Sequence, residues 1–277
     1  MSRKTKLTRW VGDILGCALA FVIFIIPFLF MFLNSLKDRA GANKRELSLP
    51  DVWHFENYLE VLQSNHYQVL TAFKNSAVIT LFTVIGLVIA GSMAGYVIAR
   101  RSDKKMKWIG GYFTLGLMLP AAILPSIWIL QGLHIFKTLF GLIMIEVALN
   151  LPFTIMLYQG FICTVPVELE ESGYLDGCGR LQLFFKIIMP LLKPVTATIC
   201  IINAVGIFND FTNPLYFLPG AENVTVQLTL YNYLSMYASE YHLLFADVLL
   251  ITIPMLVVFL LFNKQIVSGM TVGAVKG

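Results

Sequence analysis

The sequence predicts an all-α polytopic membrane protein with six transmembrane helices, and three observations carry that prediction. Charge is scarce: 13% of the 277 residues are charged and 57% are hydrophobic, against about 25% and about 45–50% in soluble domains. That is too little charge to cover a soluble surface, and the same figures exclude a disordered chain. The apolar residues gather into runs that reach the roughly 20 helical residues needed to cross a bilayer core. These runs are continuously apolar, whereas barrel strands alternate over about 10 residues.

The spans follow in order. Residues 14–36 carry no charge. Arg3, Lys4, Lys6 and Arg9 precede them, as basic residues precede a signal peptide's apolar region. The run is too long for that region and no small-residue cleavage site follows it, so it reads as an uncleaved anchor. Ile14-Leu15-Gly16-Cys17 loosely resembles a lipoprotein box but lies before the apolar run, not after it. Residues 75–99 and 108–130 are also uncharged. Residues 138–163 contain only Glu146, 187–209 only Lys193, and 243–263 only Asp247. Pro27 and Pro254 are expected to bend their helices, which membrane spans tolerate.

Basic residues orient the spans. Six spans place the N-terminus, the 100–107 loop, the 164–186 loop and the 264–277 tail on one side, with 14 of the 20 Lys and Arg residues when Lys193 is counted with the 164–186 loop. Both termini are therefore expected in the cytoplasm. Lys37, Arg39, Lys44 and Arg45, on the opposite side, run against this pattern. The net charge of +4 is too small a bias to suggest nucleic acid, and Cys17, Cys163, Cys178 and Cys200 form no close pair that would indicate zinc or a disulfide framework.

Two outer loops are long. In the first, Leu49-Pro50-Asp51 reads as a turn and 55–63 as a short amphipathic helix with Phe55, Leu59 and Leu62 on one face. The second, 210–242, is broken by Pro214, Pro219 and Gly220, and its Asn223-Val224-Thr225 matches a glycosylation sequon, a tripeptide that often arises by chance.

The loop 164–186 is the most informative segment. Pro166 suits a first helical turn, and Glu168, Glu170 and Glu171 fall where a helix dipole favours negative charge. Gly177 and Gly179 can end that helix and turn the chain. Leu181, Phe184, Phe185 and Ile188 then repeat at helical spacing. A short acidic helix, a glycine turn and an amphipathic helix fit a rigid knob made for a partner. They fit equally a plain connector with a solvated acidic face.

At this loop the sequence resembles the permease subunits of ATP-binding-cassette importers, whose signature is Glu-Ala-Ala, three residues, Gly, nine residues, then Ile-x-Leu-Pro. Glu171-Ser172-Gly173 stands for the first part, Gly177 follows at the right spacing, and Ile187-Ile188-Met189-Pro190 stands for the last. Ser172, Gly173 and Met189 depart from it, small for small or apolar for apolar. Further segments resemble the carbohydrate branch and, within it, the maltose-permease-like second subunit. They are Ser35-Leu36-Lys37, Phe55-Glu56-Asn57-Tyr58, Asn75-Ser76, Asn209-Asp210-Phe211 with Pro214-Leu215, and the terminal Gly269 to Gly277. Phe208 stands where a Trp is more usual.

The resemblance implies a type I importer permease fold, a single permease domain over 1–277 and a bacterial or archaeal cytoplasmic membrane. It implies a second homologous permease, two ATPase subunits and an extracytoplasmic solute-binding protein as partners, with lipid around the spans. Glu171, Ser172, Gly173, Asp176, Gly177 and Pro190 would belong to the segment coupled to an ATPase, and Gly273, Lys276 and Gly277 would reach between the ATPases. This chain would bind no cofactor, since it has no phosphate-loop motif. ATP and Mg are expected on the partners.

Polar groups inside spans are candidate path residues. Glu146, Asn150 and Asn203 fit either hydrogen bonding to sugar hydroxyls or a buried contact between helices. Asn209 and Asp210 fit either a gate or a cap at the end of the fifth span. The expected function is half of the pathway of an ATP-driven sugar importer. The alternatives are an importer of another solute and a carrier or channel that works without an ATPase. No HExxH, no GxSxG and no paired intramembrane acids support an intramembrane enzyme.

Overall fold

The computed structural model describes residues 3–234 and 239–274, with side chains over 12–234 and 239–262. All regular elements among the described residues are helical. In chain order they are α1 (Arg3–Ser35), α2 (Arg39–Asn43), α3 (Glu56–Arg100), α4 (Lys104–Gly116), α5 (Ile123–Gly132) and α6 (Leu139–Ile162). There follow α7 (Glu168–Leu175), α8 (Arg180–Leu183), a π-helical turn (Phe184–Ile188), α9 (Met189–Leu191), α10 (Lys193–Phe208), α11 (Thr212–Phe217), a 3-10 segment (Val226–Tyr233) and α12 (Tyr241–Ala274). Four helical stretches, Gly12–Ser35, Glu56–Arg100, Leu139–Ile162 and Tyr241–Phe262, are long and apolar enough to cross a membrane. A fifth candidate is the pair Arg180–Leu191 and Lys193–Phe208, bent by 75°.

Two expected spans differ from a single straight helix. Residues 108–130 are divided between α4 and α5, with 117–122 outside both. Pro120 lies in that gap, and a proline has no N–H to continue a helical ladder. The expected span 187–209 is straight only over α10. Its first residues belong to the preceding bent segment, and Pro190 and Pro194 flank the bend at Leu192.

The chain divides into two compact units, 1–70 with 229–253, and 71–228 with 254–277. In the first, Asn57 Nδ2 donates to the carbonyls of Ser35 (2.8 Å) and Lys37 (2.9 Å), and the Tyr58 and Ser35 hydroxyls lie 2.8 Å apart. Lys37 is 5% exposed, and its ammonium donates to Asn34 Oδ1, Glu46 O and Ser48 Oγ. Arg39 pairs with Glu240 at 3.5 Å, and Arg45 stacks on the Tyr241 ring. Three of the four cations that run against the orientation pattern are thus engaged within their own unit. The expected amphipathic face is displaced: Phe55 and Leu59 are exposed, while Asn57 and Val61 are buried. Asn57 turns inward because the two carbonyls need its donors. α3 is interrupted at residues 64–67, where Asn65, His66 and Tyr67 all take left-handed backbone conformations.

In the second unit α6 packs against α4, α10 and α11. α3 approaches α6 closely at Gly91 and Gly95. A Cβ at Gly91 would meet Thr154 Cγ2, and one at Gly95 would lie 2.8 Å from Tyr158 Cβ and 3.2 Å from two backbone atoms of α6. Small residues four apart let helix backbones meet in lipid, where hydrophobic driving force between helices is lacking. The loop after α11 is clasped to the start of this part of α3: Asn75 Nδ2 donates to Val224 O, and Val226 N–H donates to Ser76 Oγ. Asn223 of the sequon donates to Lys137 O and Thr225 is buried, so this tripeptide serves packing.

Candidate functional site

The segment 164–186 forms a built corner. α7 begins with Glu168, Glu170 and Glu171 in its first turn, close to free backbone N–H groups that favour negative charge. It ends in a Schellman motif: Gly177 N–H donates to Tyr174 O and Cys178 N–H to Gly173 O, both at 3.0 Å. Gly177 sits at φ +80°, a left-handed conformation that glycine adopts without steric cost.

The chain then reverses so that α8 and the π-helical turn pack on α7. Gly173 is buried at that contact, and a Cβ there would lie 2.6 Å from Ile187 Cδ1 and 3.2 Å from Leu183 Cδ1. The expected apolar face of the second helix is rotated. Leu183, Phe184 and Ile188 are buried while Leu181 and Phe185 are exposed. The π-helical turn places more residues per turn than the 3.6 spacing assumes and shifts the face.

Glu171, Ser172, Asp176 and Gly177 are exposed on this corner, as is Pro190 at its far end. Leu175, 89% exposed, stands at its tip with half-exposed Tyr174 and Leu169 nearby in sequence. Apolar side chains beside carboxylates on a rigid, exposed helix can dock a partner surface that offers a groove and a cation.

Residues outside the motif hold the corner. Arg100 Nε donates to Glu170 Oε1 at 2.6 Å, Arg100 Nη2 donates to Val165 O at 2.8 Å, and the Tyr96 hydroxyl donates to Glu170 Oε2 at 2.7 Å. Glu170 is the one first-turn acid that is buried. In the sequence Arg100 reads as one of five basic loop residues and Glu170 as one of three dipole-facing acids. Nothing in their spacing, 70 residues apart, signals a pair.

A second polar group lies in the second unit. Glu146 is 3% exposed. It accepts from Asn213 Nδ2 at 2.9 Å and from Asn150 Nδ2 at 3.2 Å. Asp210, within interaction range of Glu146, accepts the N–H groups of Thr212 and Asn213 and so starts α11. The structure thus brings Glu146, Asn150 and Asp210 together through Asn213, which the sequence did not single out. Asn203 donates to Ile199 O within α10, and Asn209 donates to Val205 O and accepts from Gln227. Neither joins the Glu146 group through these bonds. Of the tail residues, Gly273 lies in the backbone-only part of α12, and Lys276 and Gly277 lie outside the described residues.

Such a chain, with membrane-spanning helices and an exposed helical corner between two of them, has the makings of a transporter subunit. It belongs to the family of binding-protein-dependent transport system inner membrane components, which matches residues 86–272. It is 32% identical to the melibiose/raffinose/stachyose import permease protein MelC of Bacillus subtilis over 100% of this chain and 98% of that one. It is 27% identical to the probable starch degradation products transport system permease protein AmyC of Thermoanaerobacterium thermosulfurigenes over 99% of both. Its fold superposes with a TM-score of 0.83 on a chain of the crystal structure of a bacterial ABC transporter involved in the import of the acidic polysaccharide alginate, at 22% identity over 95% of this chain and 98% of that one. The chain is therefore a multi-pass permease component of the cytoplasmic membrane that works with a solute-binding protein, and it is not itself an enzyme.

Proposed function

We propose that this chain forms half of the translocation pathway of an ATP-driven importer for a sugar or oligosaccharide. A second homologous permease completes the pathway, and two ATPase subunits dock from the cytoplasm. Six crossings with both termini cytoplasmic put 164–186 on the ATPase side. The broken pair α4 and α5 and the bent pair ending in α10 supply two of the crossings. The observation that carries this reading is the corner itself: α7, ended at Gly177 and packed on Leu183 and Ile187, presents Glu171, Ser172, Leu175 and Asp176 outward on a rigid support. The sugar class is supported by the names of MelC and AmyC.

ATP closes the ATPase pair, each corner moves with its ATPase, and the attached helices turn the pathway from inward-facing to outward-facing. Hydrolysis resets it. The bias comes from a ligand bound differently by two states of the whole assembly. Glu171 meets a basic group of the ATPase, and the tail around Gly273, Lys276 and Gly277 reaches between the ATPases. The Glu146, Asn150 and Asp210 group shapes the outer part of the second unit by tying α11 to α6, and Asn203 and Asn209 lie along the same path.

The test is uptake into proteoliposomes containing the assembled transporter, with labelled raffinose, maltotriose, an amino acid and a phosphate ester as probes. ATP-dependent uptake of one of the sugars alone is expected. Uptake of only a non-sugar probe overturns the sugar class, and uptake by this chain without an ATP-hydrolysing partner overturns the importer mechanism.

A further inference from the structure

The last turns of α3 hold the coupling corner at three places: Val165 before α7, Glu170 within it, and Phe184 after the glycine turn. The bonds are those of Arg100 and Tyr96 already described, and the Tyr96 ring lies 5.4 Å from that of Phe184. The Arg100 and Glu170 side chains are only 16% and 8% exposed. A buried pair is a weak source of stability, because desolvation offsets the attraction, yet removing one partner strands a charge. What the geometry secures is orientation. The guanidinium fork engages two acceptors, and both carboxylate oxygens of Glu170 are engaged, which leaves one arrangement of the three groups.

Chain connectivity gives this a consequence. α6 leads into the corner and α10 leads out of it through the bend, so both are pulled directly when the corner moves. α3 is joined to the corner along the chain only through α4, α5 and α6. It touches α6 through Gly91 and Gly95, and it touches the corner through Arg100 and Tyr96. We propose that Arg100, Glu170 and Tyr96 are positioning residues that transmit displacement of the corner to α3, making α3 a third driven helix of the pathway. This rests on the reading of 164–186 as the part that meets the ATPase. A purely architectural anchor would be needed equally with and without ATP, whereas a transmitting one governs how far α3 moves when ATP binds.

The experiment uses the assembled transporter with the four natural cysteines replaced and spin labels at Leu81→Cys on α3 and Phe24→Cys on α1, which neither leads into nor out of the corner, both exposed positions. The inter-label distance is measured without nucleotide and with ATP plus vanadate, and ATP hydrolysis is measured in parallel. The parent should show an ATP-induced change in distance. Arg100→Gln should reduce the shifted population roughly tenfold, within the span usual for couplings between sites, while hydrolysis continues. Arg100→Lys, which keeps the charge and a donor for Glu170, should restore part of the change. No change in the parent, or a full change in Arg100→Gln, overturns the proposal. Should Arg100→Gln fail to assemble, Arg100→Lys decides: assembly without any of the ATP-induced change also overturns it. Gly177→Pro separates the two readings. If it abolishes the change while Arg100→Gln does not, the coupling corner stands and the transmission through α3 falls. If Gly177→Pro itself keeps the full change, the corner reading falls.

Discussion

Gly177 and Gly173 show how one atom decides a local structure. At Gly177 the backbone is left-handed and the space around it is open, so the only objection to a side chain is conformational. Gly177→Ala should therefore cost about 1–2 kcal/mol and loosen the end of α7, read as earlier thermal unfolding and fewer solute molecules moved per ATP hydrolysed. Gly173 is the opposite case: its backbone is ordinary and its space is filled by the tips of Ile187 and Leu183. Those tips can rotate, so Gly173→Ala should keep transport near the parent level, and Gly173→Leu should lose it in the same uptake assay. Asn213→Ala should cost about 1–3 kcal/mol, because buried Glu146 loses a donor. A denaturant or thermal titration of the purified chain checks it. At this scale the glycine stop at 177 was readable from the sequence because it is local. Asn213 was not, because its importance comes from a carboxylate 67 residues away.

Among the elements, α3 and α6 define the second unit through their close approach. At Gly95 a Cβ would meet backbone atoms of α6 as well as Tyr158, and backbone cannot rotate away. Gly95→Leu should cost roughly 1–3 kcal/mol or more as an overpacked contact and lower the yield of assembled transporter, measured by co-purification of the ATPase. Gly91→Ala should be milder, since the nearest atom is the methyl end of Thr154. The apolar runs themselves were legible because span length is a one-dimensional property. Their interruptions were not read: Pro120, Pro190 and Pro194 stand at the breaks, but prolines inside spans often only bend a helix, as Pro152 does not even end α6. The face of the 55–63 helix was misjudged for a definite reason. Periodicity assigns the apolar residues to the inside, and here a polar residue, Asn57, is drawn in by two carbonyls.

For the whole molecule, orientation is the decisive property. Single cysteines at Lys105 and at Leu49, in a background lacking the native cysteines, should react from opposite sides of the membrane, position 105 from the cytoplasm. Labelling of position 105 from outside in intact cells would reverse the topology. Of the four cations that run against this expected orientation, Lys37, Arg39 and Arg45 are engaged with partners in their own unit.

By itself the sequence determined the membrane class, the apolar runs, the glycine stop at 177 and the family it resembles, because each depends on composition or on local spacing. The tertiary structure alone decided which acid of the first turn of α7 is consumed inside, Glu170, and which stays outside, Glu171. It also brought Arg100 and Tyr96 to the 164–186 corner and set the Glu146 carboxylate between the amides of Asn150 and Asn213. These are pairings between groups far apart in the chain, and desolvation makes them depend on burial that no linear pattern records.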